Sequence, residues 1–155
     1  MRKALLSLFC LFVCSMASAQ KGGRMYRNAI GGRAEFGFGS WVGVSWKHLY
    51  TRHHATELNL MFGGLTTVLD AEYHFNGNFR GIQNLQWVLG AGAAVALYKY
   101  YDRPNDFFFR PVVGLDARLK GTPINIGVDW RPLVTVNGGS NSTYTRFGVP
   151  IRLAF

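Results

Sequence analysis

Residues 144–155 read Y-T-R-F-G-V-P-I-R-L-A-F. Taking every second residue puts Thr145, Phe147, Val149, Ile151, Leu153 and Phe155 on one face, and Tyr144, Arg146, Gly148, Pro150, Arg152 and Ala154 on the other. One face is apolar and the other carries two arginines. A period of two is the period of a strand, whose side chains alternate across the sheet. Such a strand needs apolar surroundings on one side only, which either a water-soluble core or lipid can supply. The front of the chain bears on that choice.

Residues 1–19 have the three parts of an export signal: Arg2 and Lys3 as a charged start, an apolar run from Ala4 to Met16, and the small-residue cleavage site Ala17-Ser18-Ala19. The run is too short to cross a bilayer as a helix. Cleavage after Ala19 is expected, with residues 20–155 forming a single β-barrel domain. Cys14 also follows an apolar stretch, as a lipidated cysteine would, but Val13 is a poor residue to precede one. Both cysteines, Cys10 and Cys14, fall in the removed segment. The exported chain then has no disulfide, no thiolate metal ligand and no thiol nucleophile.

The full chain carries a net charge of +9, and removal of Arg2 and Lys3 leaves +7. A basic exported protein meets anionic lipid or polysaccharide rather than nucleic acid. Aromatic residues at 15%, 19 glycines and only 16% charged residues suit a barrel with an apolar exterior and small residues in its turns and inner wall.

Eight segments alternate from Ile30 onward. Segment 29–38 sets Ile30, Ala34, Phe36 and Phe38 against Arg33 and Glu35; 42–50 sets Val42, Val44, Trp46 and Tyr50 against Ser45 and Lys47. In 56–62, Leu58, Leu60 and Phe62 oppose Glu57 and Asn59, and in 65–75, Leu65, Leu69, Tyr73 and Phe75 oppose Asp70, Glu72 and His74. Segment 85–98 sets Leu85, Trp87, Leu89, Val95 and Leu97 against Gly90, Gly92, Ala94 and Ala96. Segment 107–119 sets Phe107, Phe109, Val113, Leu115 and Leu119 against Arg110, Asp116 and Arg118. In 124–136, Ile124, Ile126, Val128, Trp130, Val134 and Val136 oppose Asn125, Asp129 and Arg131, and 144–155 is the eighth.

The charged residues of these segments share one parity. A slip of one residue would turn a whole set to the other face. A water-soluble barrel would expose that charge and bury the aromatics in a bore too small for them. An eight-stranded barrel in lipid reverses the arrangement, because its bore is just wide enough to be filled by side chains. The expected fold is therefore all-β: an eight-stranded antiparallel up-and-down transmembrane β-barrel. Its lumen is expected to hold an ion-pair network of Arg33, Glu35, Lys47, Glu57, Asp70, Glu72, Arg110, Asp116, Arg118, Asp129, Arg131, Arg146 and Arg152. Charges left unpaired in such a bore would cost several kcal/mol each.

The expected connections are 39–41, 51–55, 63–64, 76–84, 99–106, 120–123 and 137–143, rich in Gly, Asn, Asp and Pro. With both ends periplasmic, 76–84 would be a long periplasmic loop, against the usual short periplasmic turns. Pro111, Pro132 and Pro150 fall within strands, where each removes a ladder hydrogen bond, so bulges or rim positions are expected for them.

The export signal, the eight alternating segments, the run Asp129-Trp130-Arg131-Pro132 and the terminal Phe155 preceded by Leu153, Ile151, Val149 and Phe147 resemble the small outer-membrane barrel proteins of Gram-negative bacteria. The resemblance is to the barrel domain of outer membrane protein A and its short-loop relatives, and covers residues 29–155. It implies a porin-like barrel in contact with outer-membrane lipid and lipopolysaccharide and recognised by the barrel assembly machinery; the sequence does not fix the oligomeric state, and a monomer is the expectation. Phe147, Val149, Ile151, Leu153 and Phe155 would be the address. The sequence departs from the best-known members in lacking long external loops and a periplasmic peptidoglycan-binding domain.

Other constellations are weaker. His48, His53 and His54 lack an acid or a further histidine at metal-ligand spacing, and no metal or other cofactor is expected. Gly90-Ala91-Gly92 imitates part of a dinucleotide loop without its third glycine or its helix, and fits better as relief of crowding in the lumen. Asn141-Ser142-Thr143 matches a glycosylation sequon, which has little meaning in a bacterial chain. The reading adopted is a non-catalytic, structural or surface-interacting outer-membrane protein. Two alternatives stand beside it. One is a lipid A-modifying acyl hydrolase or acyltransferase using a His and a Ser, although His48 and Ser45 lie on opposite parities and His48 is followed by Leu49 and Tyr50 rather than by a Ser two residues on. The other is a soluble periplasmic barrel that binds an apolar ligand inside.

Overall fold

The computed structural model describes residues 26–99, 105–136 and 142–155. The export segment and both cysteines lie outside these residues. Among these residues nine strands follow one another: β1 (Asn28–Phe36), β2 (Trp41–Leu49), β3 (His54–Gly63), β4 (Thr66–Phe79), β5 (Ile82–Tyr98), β6 (Asp106–Arg118), β7 (Ile124–Trp130), β8 (Val134–Thr135) and β9 (Phe147–Ala154). Each pairs antiparallel with its sequence neighbour from β1 to β7, and β9 bridges β7 and β1, so the sheet closes on itself. Closure leaves no free edge to template aggregation.

The barrel has eight staves, because β8 continues the course of β7. Val113 faces Trp130, and Phe109 faces Val134 in the same register. The gap between these pairs sets Pro111 opposite Pro132, and neither residue has an N–H to give. Concentrating two prolines at one step confines their damage to a single interruption. On its other side the stave stays bonded: Arg131 N–H donates to Arg146 O at 2.9 Å, and Leu133 and Thr143 exchange two bonds of 2.8 Å. Pro150 pairs with Arg33 of β1 and lies beside Gly127 of β7, where the β7–β9 ladder omits two successive pairs, Gly127 with Pro150 and Val128 with Val149. Toward β6 the register is unbroken across Pro111 and Pro132, but toward the last stave it slips by one residue beside Pro132, from Arg131 opposite Arg146 to Leu133 opposite Thr143, as the bulge expected for that proline requires; a second shift lies between Asn78 and Phe79.

Several expected boundaries change. Residues 76–84 do not form a loop: β4 runs to Phe79, β5 starts at Ile82, and a two-residue turn with Gly81 at φ 82° joins them. The turn residues Asn76, Gly77 and Asn78 had suggested a loop, but cross-strand pairs to Val88, Trp87 and Gln86 carry them in the ladder. The long loop at that end disappears, and with it the inverted asymmetry. Asp106 belongs to β6 rather than to a connection, and the eighth stave is regular only from Phe147.

We call the end bearing Asn28, Ala154 and the turns 50–53, 80–81 and 119–123 the lower rim, and the opposite end the upper rim. Side chains divide by parity as the alternation requires. Ile30, Val44, Leu89 and Ile151 point outward and are each at least half exposed, whereas Arg33, Glu57, Arg110 and Arg152 point into the bore and are buried. The barrel is thus apolar outside and charged inside. Two apolar plugs cap the charge. Met61, Val68, Ala94, Ala96, Phe108 and Leu133 lie toward the upper end, and Tyr26, Ala29, Leu49, Ala55 and Ala154 toward the lower.

Candidate functional site

The bore is the site that the fold builds most deliberately, since inward positions of every stave converge on it. In its upper half Arg110 forks between two carboxylates. Its Nη2 donates to Glu35 Oε1 and Oε2 at 3.1 and 2.9 Å, and its Nη1 donates to Asp70. Arg131 lies beside it, with Nε donating to Asp129 at 2.6 Å and Nη2 lying 3.1 Å from Glu72. In the lower half Arg33 joins Asp129, at 3.0 Å, to Glu57. Arg152 donates to Glu57 at 2.9 Å and to Ser45 at 3.0 Å. Below these, Asp116 accepts from Lys47 at 2.6 Å, from Tyr26 at 2.7 Å and from Asn125. Tyr26 precedes β1 and is buried by the lower plug; burial and the adjacent Asp116 carboxylate push its phenol well above its ordinary pKa.

Arg146 occupies the top of the stack. Its guanidinium lies 3.7 Å over the Trp41 ring, donates to Phe38 O at 2.9 Å and approaches Glu35 at 3.7 Å. Six cations, Arg33, Lys47, Arg110, Arg131, Arg146 and Arg152, therefore face six acids, Glu35, Glu57, Asp70, Glu72, Asp116 and Asp129. The balance matters because desolvated ions are tolerable only when paired and hydrogen-bonded.

Arg118 departs from this set. Although it shares the inward parity, it ends β6 at the lower rim, is only half-buried, and donates through Nε to Thr122 O at 3.4 Å. Conversely, His74 enters the network without having been singled out, with Nε2 3.0 Å from Glu72 and Nδ1 3.7 Å from Glu57. Asn59, Asn76, Asn125 and Tyr26 are further polar members. The inward parity of His74, Asn59 and Asn125 was visible in the alternation; Tyr26 precedes it and left no such signal.

Glycine sets how closely these groups pack. A Cβ at Gly92 would collide with Ala71 O and the Glu72 side chain, and one at Gly148 with Asp129 and Arg33. Gly90 and Gly92 are thus spacers in the wall of a crowded bore, not a phosphate cradle. Beside Lys47, Glu57 and His74 lies a void of only about 10 Å³. Among the described residues the middle of the bore is filled by ions between two apolar plugs.

The other candidate residues are scattered. Ser45 is buried in the bore between Arg152 and Glu57, whereas His48 lies on the outer wall, its Nδ1 2.7 Å from Asn28 Oδ1 and its ring 4.9 Å from that of Tyr50. A barrel wall separates them, so they form no nucleophile–base pair. His53 pairs with Asn76 O at 2.9 Å and His54 with the Tyr73 hydroxyl, and among the described residues no three His, Cys, Asp or Glu gather as metal ligands. Phe147, Val149, Ile151, Leu153 and Phe155 share the outer face of the last stave. The Phe155 main chain exchanges bonds of 2.7 and 2.8 Å with Asn28, which seals the lower end of the β1–β9 seam. At the upper rim a cup of about 640 Å³ opens above Phe108 and Leu133, walled by Trp41, Tyr98 and Arg146.

No family model and no curated protein matches this chain. Among solved structures, the N-terminal β-barrel domain of Pseudomonas aeruginosa OprF superposes with a TM-score of 0.62 at 17% sequence identity, over 83% of this chain and 96% of that one. The chain therefore shares the fold of the small eight-stranded outer-membrane β-barrel domains.

Proposed function

We propose that this chain is an integral outer-membrane protein whose plugged barrel serves a structural or surface-interaction role and performs no catalysis. The observation that carries the reading is the inverted polarity of the wall. Phe36, Val42, Leu69, Leu89, Phe107, Val128 and Ile151 form a continuous apolar exterior around a bore in which six cations face six acids. In water that exterior would be an aggregation surface far larger than soluble monomers tolerate. In hydrocarbon it is the favourable solvent face, and closure of the sheet pairs the backbones of neighbouring staves with one another instead of leaving an open edge to lipid. The likeness to the OprF barrel domain supports the same placement.

On this reading residues 1–19 are the export signal, the short turns of the lower rim face the periplasm, and the outward residues of the last stave, from Phe147 to Phe155, are the address read by the barrel assembly machinery. Lipid and lipopolysaccharide are the surrounding partners, and the barrel acts as a monomer. The test is fractionation followed by gel migration. The protein should be recovered with outer membranes, and an unboiled sample should run differently from a boiled one in detergent. Recovery in the soluble periplasm, or identical migration of both samples, would overturn the proposal. Lipid A spectra unchanged by the presence of the protein are expected; a gained or lost acyl chain would overturn the non-catalytic part.

A further inference from the structure

The placement of charge outside the bore is one-sided. Six acids and six cations neutralise one another in the lumen, and the only other acid among the described residues, Asp106, stands at the upper rim. The lower rim holds Arg27, Arg52, Arg80, Arg118 and Lys120, and no acid among the described residues. At the upper rim Lys99 and Asp106 offset each other, so among the described residues the positive excess is gathered at the lower rim. These cations are not a patch. Arg27 leads into β1, Arg52 lies between β2 and β3, Arg80 between β4 and β5, and Arg118 and Lys120 between β6 and β7, so they encircle the cylinder.

A second feature lies just inside this ring. On the outer wall Trp46 and His48 of β2 and Tyr50 just past its end touch in succession, the first pair tilted at 5.9 Å and the second edge to face at 4.9 Å. Phe75 bridges His54 and Trp87 at 5.3 and 5.6 Å. Trp and Tyr concentrate where hydrocarbon meets headgroups, because their rings are apolar and their N–H or O–H groups are polar. On the membrane placement proposed above, these rings mark that boundary over β2–β5, and the cations of the lower rim lie beyond them. At the β4–β5 turn, exposed Phe79 and Ile82 flank Arg80, so an apolar side chain lies on either side of the cation.

We propose that the lower rim is a collar for anionic phospholipid headgroups, binding phosphodiesters such as phosphatidylglycerol in preference to zwitterionic lipids. A polymer or protein partner would engage one side of the barrel, whereas an annulus of lipid touches every side, and the cations are on every side. Basic side chains at a membrane surface attract anionic lipid, and salt screens the attraction. The collar rests on the membrane placement proposed above.

The test uses the full exported chain folded in phosphatidylcholine vesicles, with spin-labelled phosphatidylglycerol or spin-labelled phosphatidylcholine as the probe of lipid held against the protein. Phosphatidylglycerol should be selected about fivefold at low salt, and the selection should collapse at about 1 M salt. The triple variant R52Q/R80Q/K120Q should bring it close to parity, and R52K/R80K/K120R should keep it, since charge rather than shape is recognised. Equal retention of both lipids at low salt would overturn the collar, as would selection that survives in the glutamine variant. Binding to purified peptidoglycan that is lost in that variant, without lipid selectivity, would assign the ring to a polymer instead and also overturn it. Folding is scored separately by the boiled-against-unboiled gel shift. A chain that folds in phosphatidylcholine but shows no selectivity refutes the collar alone; a wild-type chain that folds in no vesicle refutes the membrane placement.

Discussion

Arg110 and Glu35 stand 75 positions apart in the chain and share two hydrogen bonds, of 3.1 and 2.9 Å, in the bore. Glu35 also lies 3.4 Å from Arg131 and 3.7 Å from Arg146, so one carboxylate answers three guanidinium groups. Removing one partner of a buried ion pair leaves the other uncompensated, which costs about 3–5 kcal/mol. E35Q should therefore lower the urea midpoint of the folded barrel by a corresponding amount, read by tryptophan fluorescence in vesicles. The double variant E35M/R110M should lose less than the sum of the two single variants, because the pair is coupled. Additive losses would mean that the two residues do not act together.

Leu89 lies near the middle of β5, points outward and is 54% exposed. A cation there would face hydrocarbon at mid-depth, at a cost of about 2–4 kcal/mol. L89R should reduce the folded yield in lipid vesicles. Normal yield would show that this face does not meet lipid.

Gly92 and Gly32 make a matched pair in the wall. A Cβ at Gly92 would strike the Ala71 carbonyl and Glu72, whereas at Gly32 the nearest atom, Gly43 O, is 3.9 Å away. G92A should destabilise by about 1–3 kcal/mol through overpacking. G32A should be neutral or stabilise by up to about 1 kcal/mol, because alanine gives up less backbone freedom in a strand. The urea midpoints of the two variants should move apart; equal shifts would contradict the packing described for the bore.

Conductance follows from the plugs. Met61, Phe108 and Leu133 close the upper end, Tyr26 and Leu49 the lower, and ion pairs fill the space between. Planar bilayers containing the folded protein should show no resolved channel steps in concentrated potassium chloride. Regular steps in the wild-type protein would show that the bore opens.

Much of this molecule was legible one residue at a time. The alternation in 29–38, 42–50 and 107–119 assigned Arg33, Glu35, Lys47, Arg110 and Asp116 to one face and Ile30, Val44 and Phe109 to the other, because parity along a strand is a local property of the backbone. What alternation could not carry is which residue meets which across the bore. Arg110 with Glu35, Arg33 with Glu57 and Tyr26 with Asp116 are set by the stagger between staves and by the closure of β9 on β1. The same holds for the exceptions. Asn76 and Gly77 carry loop chemistry but are held in a strand by Val88 and Trp87, and Pro111 and Pro132 are tolerated because the register sets them side by side. Arg118 shows the limit from the other direction: its parity points into the bore, yet the strand ends there and its side chain reaches the lower rim. Sequence by itself determined the faces, since each depends on near neighbours; only the closed cylinder decided the partners, since each partnership joins residues tens of positions apart.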